Sequence, residues 1–430
     1  MRVTTKSGET QPLSGWRNAV RDVTVAVVWL AAGIICKCLC AFSEFVVTLR
    51  RCMLGVIGYQ QMERQMPARS YPRFKAAACH ASSVFLDSAK TVDKACDLIA
   101  EAASAGAGLV VFPEAFIPGF PIWAALQAPI LSHDFFKSLA AQAVRIDSPE
   151  VAKIRMAARR HGVVVSIGMT EATEASVGCL WNTNLLIGSD GALLNHHRKL
   201  VPTFFEKLIW ANGDGRGLRV VETGVGRIGM LICGENTNPL ARYSLMAQGE
   251  QVHLSSYPPV WPTRPASQAG GYNLRRAIEI RAGSHAFEAK VFNIVASGCM
   301  DPSMQNALAR ANPAMLEALE GTARGVSMVL DPTGAVISEV LCDDEGIVYA
   351  DIDVAECVEP KQFHDVVGYY NRFDVFKLSV DQTPRDPATF TGFVELQSSG
   401  VGDLLVTPVD PTVDADTSAS AHATRRRSTR

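Results

Sequence analysis

The sequence predicts a layered α/β domain over residues 74–353. Short apolar runs typical of buried strands alternate along this stretch with amphipathic patterns typical of helices. Turn residues such as Gly106 and Asp190-Gly191 separate the two kinds of segment. The stretch is short enough for a single large domain, and it contains no repeat of fixed period.

The periodicity of the apolar residues predicts each element in turn. A helix over residues 88–105 would bury one apolar face, made of Val92, Ala95, Leu98, Ile99 and Ala102. Further helices are predicted at 148–161, 239–248 and 274–288. Apolar runs predict strands at 74–79, 109–114, 163–169, 183–188, 192–200, 227–233, 252–255, 292–297, 327–330, 335–339 and 346–351.

The two ends of the chain differ from this middle part. Residues 1–72 form an extension whose apolar run starts at 23 and continues, interrupted by Lys37 and Glu44, to 49. Such a run fits either a poorly packed extension with no membrane role or a membrane anchor or targeting signal. Residues 398–430 are rich in polar residues and end in a basic cluster, which predicts a disordered tail.

The composition excludes several classes of function. The 430 residues carry a net charge of -2, so nothing in the overall charge favours nucleic acid as a partner. The 11 cysteines form no pair of CxxC motifs of the kind that binds zinc. No glycine-rich phosphate-binding motif lies between a strand and a helix, so nucleotide binding has no support.

Glu114 is the first candidate for catalysis. It stands at the carboxyl end of a predicted buried strand, where ligand sites of α/β sheets lie. Partial burial would raise its pKa towards that of a useful general base. A salt-bridged or helix-capping glutamate is the alternative.

Lys199 and Glu206 are the next candidates. Lys199 ends a crowded basic strand, and a buried lysine beside carboxylates can stabilise a developing anion. Glu206 follows seven residues later and would help to fix protonation states. A solvated basic edge and a surface charge on a helix are the respective alternatives.

Cys233 lies where an apolar strand meets a sharp turn and a helix. Gly234 follows at once, and cap-type residues precede Pro239 at a natural first helical position. Serine hydrolases present their nucleophile on such a turn. The helix terminus and a nearby lysine would favour the thiolate, and the Gly234 N–H would face an oxyanion. A buried inert cysteine is the alternative.

Together these segments resemble the nitrilase branch of the carbon–nitrogen hydrolase superfamily. The resemblance runs from about Arg73 to Leu378 and is carried by FPEAFIPGFP, HRKLVPTFFEKLIWANGDG, GRIGMLICGENTNPLARY, EGIVYADID and VVGYYNRFDVFKL. It implies a four-layer αββα sandwich over residues 73–353. It also implies that residues 354–397 contribute to oligomer contacts.

The resemblance also implies roles for the candidate residues. Glu114 becomes the general base, Lys199 the stabiliser of the tetrahedral species, Cys233 the nucleophile and Glu206 a second carboxylate of the site. No metal or organic cofactor is implied. Two departures from the family pattern are Gly234, where many nitrilases have Trp, and Tyr369, where His is common. The glycine predicts a larger or looser pocket beside the sulfur.

The activity expected from this resemblance is hydrolysis of an organic nitrile to the carboxylic acid and ammonia. Trp123, Trp210 and Tyr257 are candidate walls of an aromatic substrate pocket, with core packing as the alternative for each. Amidase or nitrile-hydrating activity, and a non-catalytic self-assembling protein, are the competing functions. The resemblance also implies a homo-oligomer, with a spiral as one form of it. A cytoplasmic location is expected because a reducing compartment suits a catalytic thiol.

Overall fold

A computed structural model describes residues 71–265 and 268–385, together with two short strands near the start of the chain. These strands, Val3–Thr4 (β1) and Thr10–Gln11 (β2), pair antiparallel. The predicted apolar run at 23–49 and the predicted tail at 398–430 lie outside the described residues.

The large sheet has six strands in the order β13-β3-β4-β5-β6-β7. Strands β3, β4 and β5 run parallel, and the other neighbours pair antiparallel. The strands are Arg73–His80 (β3), Ala107–Val111 (β4), Val164–Thr173 (β5), Ser176–Ile187 (β6), Leu193–Arg198 (β7) and Gly346–Asp353 (β13).

The second sheet has five strands in the order β12-β11-β10-β9-β8. Its three central strands are parallel, and β8 and β12 are antiparallel edges. The strands are Val221–Thr223 (β8), Gly226–Ile232 (β9), Val252–Tyr257 (β10), Phe292–Ser297 (β11) and Met328–Leu330 (β12).

Helices cover the outer face of each sheet. The helices of the described residues are Ser88–Ser104 (α1), Trp123–Leu126 (α2), His133–Gln142 (α3), Pro149–His161 (α4), Pro239–Met246 (α5), Leu274–Ala289 (α6), Pro302–Ala311 (α7), Ala314–Glu317 (α8) and Val358–Phe363 (α9). Helices α1 and α4 pack on the six-stranded sheet, and α5 and α6 pack on the five-stranded one.

Alternation along the strands explains the four layers. On β3, Ala76 and Ala78 face the core between the two sheets, whereas Ala77 and Cys79 face α1 and α4. Met230 on β9 and Leu254 on β10 enter the same inter-sheet core from the other side. A sheet whose strands are apolar on both faces must be covered on both sides. Here each sheet is covered by helices on one face and by the other sheet on the other face, so the predicted αββα sandwich is confirmed.

Most of the predicted elements are confirmed, with one error and several omissions. Residues 335–339 form no strand, because Val336 makes only an isolated bridge to Leu330. The sequence patterns miss the helices α2, α3, α7, α8 and α9 and the short strands β1, β2 and β8. Within the described part of the chain, no helix is both long and apolar enough to cross a membrane.

Candidate active site

Glu114 lies three residues beyond β4 and is buried. Gly168 on β5 allows this approach, because a Cβ there would lie 2.3 Å from the carbonyl oxygen of Pro113 and 2.6 Å from the nitrogen of Ala115. The Asn182 amide on β6 donates to Oε1 of Glu114 at 2.7 Å. The other carboxylate oxygen, Oε2, is buried and has no hydrogen-bond partner among the described residues. It is therefore free to accept a proton.

Lys199 follows the last residue of β7 and bridges two carboxylates. Its Nζ donates to Oε1 of Glu114 and to Oε2 of Glu206, both at 2.6 Å. Its backbone N–H donates to the Asn182 carbonyl at 2.8 Å, so β6 positions both Lys199 and Glu114. All three charged side chains are fully buried.

Glu206 is held from three sides in the short helix Phe204–Leu208. Its Oε2 accepts from the Thr203 backbone N–H at 3.0 Å, while the Glu206 backbone N–H donates to the Thr203 carbonyl at 3.0 Å. The Trp261 indole donates to Oε1 at 3.3 Å. Together with the Lys199 bond, these contacts give both Glu206 oxygens a hydrogen-bond donor. Such a carboxylate fits a supporting role beside Glu114 and Cys233.

Cys233 is the first residue after β9 and is buried. It adopts a φ of 47°, the left-handed region that side chains other than glycine rarely occupy. The predicted sharp turn is thus present, and it leads into the short helix Cys233–Thr237 and then α5. The Sγ atom, a carboxylate oxygen of Glu114 and one of Glu206 all lie within 4.8 Å of one another.

The electrostatics of the group favour a protonated sulfur at rest. Burial raises the pKa of the Cys233 thiol well above its ordinary value, and the charge of Glu114 raises it further. Burial would lower the pKa of Lys199, but Glu114 and Glu206 hold it well above the usual range. The expectation of a resting thiolate is therefore not supported, and Cys233 would need a base to remove its proton before it could act as a nucleophile.

Glu114 has the pKa that such a base needs. Burial raises the pKa of its carboxyl to about 7, although Lys199 acts in the opposite direction. A carboxyl that titrates near neutral pH can both take up and return a proton under working conditions. The Glu114 carboxyl is therefore suited to accept the Cys233 proton.

The pH dependence of activity should follow this carboxyl. A Glu114 that already carries a proton accepts no other, so kcat/KM should rise with pH and reach half its plateau near pH 7. Below that pH it should fall about tenfold per unit. Initial rates of ammonia release across buffers check this, and a flat profile in the acid range would contradict the assignment of Glu114 as the base.

Glu235 joins the two segments that carry Lys199 and Cys233. Its Oε1 accepts from the Leu200 N–H at 2.6 Å, and its Oε2 accepts from the Ile232 N–H at 2.8 Å. The buried His197 also contacts Oε2, at 2.8 Å through Nε2. Sequence analysis did not find this residue, although a glutamate two residues after a candidate nucleophile was the available signal.

Gly234 does not leave an open pocket as the sequence suggested. A Cβ on Gly234 would lie 2.8 Å from Oγ1 of Thr203, the residue whose backbone N–H donates to the Glu206 carboxylate. Thr203 thus occupies the space beside this glycine. Substituents at position 234 would press on the segment that holds Glu206.

The three candidate pocket residues all belong to the core cluster that contains Cys233. Trp123 is fully buried and stacks on Phe135, Trp210 packs edge-on against Phe120, and Tyr257 is fully buried at the end of β10. The Trp123 and Trp210 indole nitrogens and the Tyr257 hydroxyl have no hydrogen-bond partner among the described residues. Membership of the Cys233 cluster fits pocket walls, and the role of the three residues in substrate binding stays a prediction.

Among the residues that the structure describes, two groups of side chains have the composition of a metal site. One is Glu114, Glu206 and Cys233, and the other is Glu250, His253 and His285. In the first group, Lys199 already binds both carboxylates, so its cation fills the position that a metal would need. In the second group, the imidazoles of His253 and His285 contact the two Glu250 oxygens at 2.7 Å, so hydrogen bonds already use the atoms that would bind a metal.

Comparison with known proteins agrees with the fold and identifies the family. The Carbon-nitrogen hydrolase family model matches residues 75–362. "Nitrilase 3" of an unknown prokaryotic organism is 37% identical over 72% of this chain and 90% of its own length. The bromoxynil-specific nitrilase of Klebsiella pneumoniae subsp. ozaenae is 36% identical, over 73% and 87%. An arylacetonitrilase of Hypocrea virens is 33% identical, over 72% and 92%.

Solved structures share the fold at lower sequence identity. The C. elegans NitFhit protein superposes with a TM-score of 0.56 at 21% identity, over 74% of this chain and 70% of that one. A carbon-nitrogen hydrolase from Helicobacter pylori gives 0.53 at 19% identity, over 71% and 97%. The family match over most of the chain and the identity to full-length relatives lead to one conclusion: the chain belongs to the carbon–nitrogen hydrolase family, in its nitrilase branch.

Proposed function

We propose that this protein hydrolyses an organic nitrile to the carboxylic acid and ammonia, with Cys233 as the nucleophile. The supporting observation is the convergence of one thiol, two carboxylates and one ammonium in a buried site, with Sγ and the carboxylate oxygens within 4.8 Å. The nitrilase and arylacetonitrilase relatives, at 33–37% identity, support the same reaction.

The first half of the reaction forms a covalent intermediate. Glu114 takes the Cys233 proton through its unpartnered Oε2 as Sγ adds to the nitrile carbon, and the proton passes to the nitrile nitrogen. The product is a thioimidate. The Lys199 ammonium and the Gly234 N–H stabilise the negative charge that develops on that nitrogen.

The second half consumes two water molecules. Glu114 activates the first, which adds to the thioimidate carbon, and collapse of the tetrahedral species expels ammonia and leaves a thioester. The second water hydrolyses the thioester to the acid and frees the thiol. A small cavity of about 10 Å³ reaches Glu114, lined also by Phe120 and Met304, which is about the room of one water.

Nitriles with an aromatic ring are the substrate class that we infer. Trp123, Trp210 and Tyr257 share the core cluster of Cys233. Phe204 leaves 64% of its surface exposed and packs against Trp261, which itself binds Glu206. Three relatives, at 33–35% identity, are arylacetonitrilases, which supports an arylaliphatic preference.

A nitrile panel with product analysis tests the function. Aromatic, arylaliphatic and aliphatic nitriles and their amides are incubated separately, and acid, amide and ammonia are quantified. We expect equal amounts of acid and ammonia from arylaliphatic nitriles, with little turnover of free amide. Amide as the main product would indicate nitrile hydration, hydrolysis of amides alone would indicate an amidase, and no turnover would favour a non-catalytic protein.

We also propose a homo-oligomer in the cytosol. The C-terminal segment exposes four aromatic rings that are 65–74% accessible, from Tyr369, Tyr370, Phe373 and Phe376. Aromatic side chains are enriched at protein interfaces, and a second copy of this chain is the occupant that we infer. The cysteines of the described residues are unpaired, which fits a reducing compartment. The particle mass from light scattering tests the assembly.

A further inference from the structure

A chain of buried polar groups lies directly behind the Cys233 turn. The Asn236 amide nitrogen donates to the carbonyls of Cys233 and Leu231, at 3.1 and 3.3 Å. Its Oδ1 lies 2.9 Å from Nε2 of His253, whose Nδ1 lies 2.7 Å from Oε1 of Glu250. We call Glu250, His253 and Asn236 the relay. All three are buried, and none takes part in the reaction steps given above.

The hydrogen bonds of the relay determine the charge on His253. Because Asn236 donates through its nitrogen to two carbonyls, its Oδ1 must face His253 as an acceptor. The Glu250 carboxylate is an acceptor at the other ring nitrogen. An imidazole between two acceptors makes both bonds only as the imidazolium, with a proton on each nitrogen.

His285 completes the arrangement as a neutral ring. Its Nε2 contacts Oε2 of Glu250 at 2.7 Å, and its Nδ1 has no partner among the described residues. Burial and the charge of His253 lower the pKa of His285 to about 4. Burial would raise the pKa of Glu250, but His253 and His285 lower it to about 2. On this hydrogen-bond pattern, the relay contains a buried ion pair between Glu250 and His253, and the His285 ring stacks 3.6 Å from that of His253.

The relay ends at the peptide group that joins Cys233 to Gly234. The carbonyl of this group accepts from Asn236, and its N–H is the Gly234 donor of the proposed mechanism. Hydrogen bonds in a chain polarise one another, so a cation behind Asn236 strengthens the bond to the carbonyl. A carbonyl that is polarised in this way leaves more positive charge on the N–H of the same peptide.

We propose that Glu250, His253 and Asn236 are positioning residues that hold the Cys233 peptide and strengthen the Gly234 N–H as a donor to the developing anion. This inference rests on the proposed function, because the anion forms only during turnover. The relay would act on the rate of the chemical step and leave both the binding of the nitrile and the nucleophilicity of the sulfur unchanged.

The variant Glu250→Gln tests the relay at nearly constant volume. It removes the charge that stabilises the imidazolium while keeping an acceptor for His253. We expect kcat to fall about tenfold, less than the 10²–10³ that outright loss of an oxyanion donor costs. KM should stay within about twofold, as for an interaction made only in the transition state. Glu279→Gln on α6, where the surface carboxylate pairs with Arg275 and Arg276, is the matched control and should behave as the parent protein.

Alkylation of Cys233 by iodoacetamide separates polarisation from simple support of the fold. This displacement puts no new negative charge beside Gly234, so its rate in Glu250→Gln should match that of the parent protein. A parallel fall in alkylation and kcat would show that the relay only holds the sulfur in place, and an unchanged kcat would show that the relay has no effect on the reaction.

The protonation of His253 can be measured without any variant. Nitrogen-15 NMR of the full chain, labelled at histidine, should show one buried imidazolium with a proton on both nitrogens, assigned by its loss in His253→Gln. A neutral His253 would overturn the proposal even if Glu250→Gln failed to fold. If the parent protein turns over no nitrile or amide, the proposed function fails, whereas the NMR result still reports on the relay.

Discussion

Cys233→Ala is expected to abolish turnover of nitriles and to leave the fold intact. Loss of a nucleophile that acts together with its base typically costs kcat a factor of about 10⁶. The side chain is small, and its removal leaves the β9 strand and the Asn236 contacts with the backbone in place. Ammonia release measures the activity, and circular dichroism with thermal unfolding measures the fold.

Two further variants sharpen this test. Cys233→Ser should be as inactive as the alanine variant, because a hydroxyl in the same place gives up its proton less readily than a thiol does. Cys357→Ala removes another buried free cysteine, far along the chain beside α9, and should keep full activity. If Cys233→Ala retained more than a trace of activity, the assignment of the nucleophile would be wrong.

Lys199→Met is expected to lose both activity and stability. The Nζ atom lies 2.6 Å from a carboxylate oxygen of Glu114 and of Glu206, and all three side chains are buried. Removing the cation leaves two buried carboxylates without their partner, which typically costs about 3–5 kcal/mol of folding free energy. Loss of the donor to the developing anion should lower kcat at least about 10²-fold. Chemical denaturation and ammonia release measure the two effects.

The loss of stability in Lys199→Met should depend on pH. Without the lysine, the buried Glu114 carboxyl, which faces Glu206, holds a proton more tightly in the folded state than in the unfolded state. The folded pKa of Glu114 is raised, so the variant should gain stability as the pH falls through that raised value. The deficit relative to the parent protein should therefore be smaller at mildly acidic than at mildly alkaline pH.

A double variant and a neighbouring lysine serve as controls. Glu114→Gln combined with Lys199→Met removes one of the facing charges and should regain part of the stability, but no activity. Lys207→Met changes an exposed lysine on the Phe204–Leu208 helix and should alter neither property. Full activity in Lys199→Met would contradict the role of this ammonium.

The sequence was sufficient for the parts of the site that local pattern encodes. Glu114 and Cys233 each follow an apolar run that is readable as a buried strand, and the turn at Gly234 is marked by its own residues. The convergence of Lys199 with Glu114 came only from the family resemblance. It depends on β6, which carries Asn182 and lies next to β7 in the sheet.

Other parts of the structure were beyond local pattern. The resting state of the sulfur depends on burial and on the charge of Glu114, and neither is visible in the residues around Cys233. Residues 335–339 alternate like a strand, but their pairing with β12 amounts to one isolated bridge at Val336, and a strand needs a continuous ladder of pairs. The relay joins residues that are up to 17 positions apart, so its polar residues look unremarkable one by one.

The contacts of Glu235 suggest where new substrate preferences can arise. The Glu235 carboxylate accepts from the backbone N–H groups of both Leu200 and Ile232. These bonds couple the position of the Lys199 segment to that of the Cys233 segment. A substitution that shifted either segment would therefore displace both the Lys199 ammonium and the Cys233 sulfur. Substitutions that aim at a new substrate are therefore better made at side chains that do not bond Glu235. Phe204 and Tyr272, which pack against Trp261, are examples where the size of the side chain can change while the proposed catalytic geometry is retained.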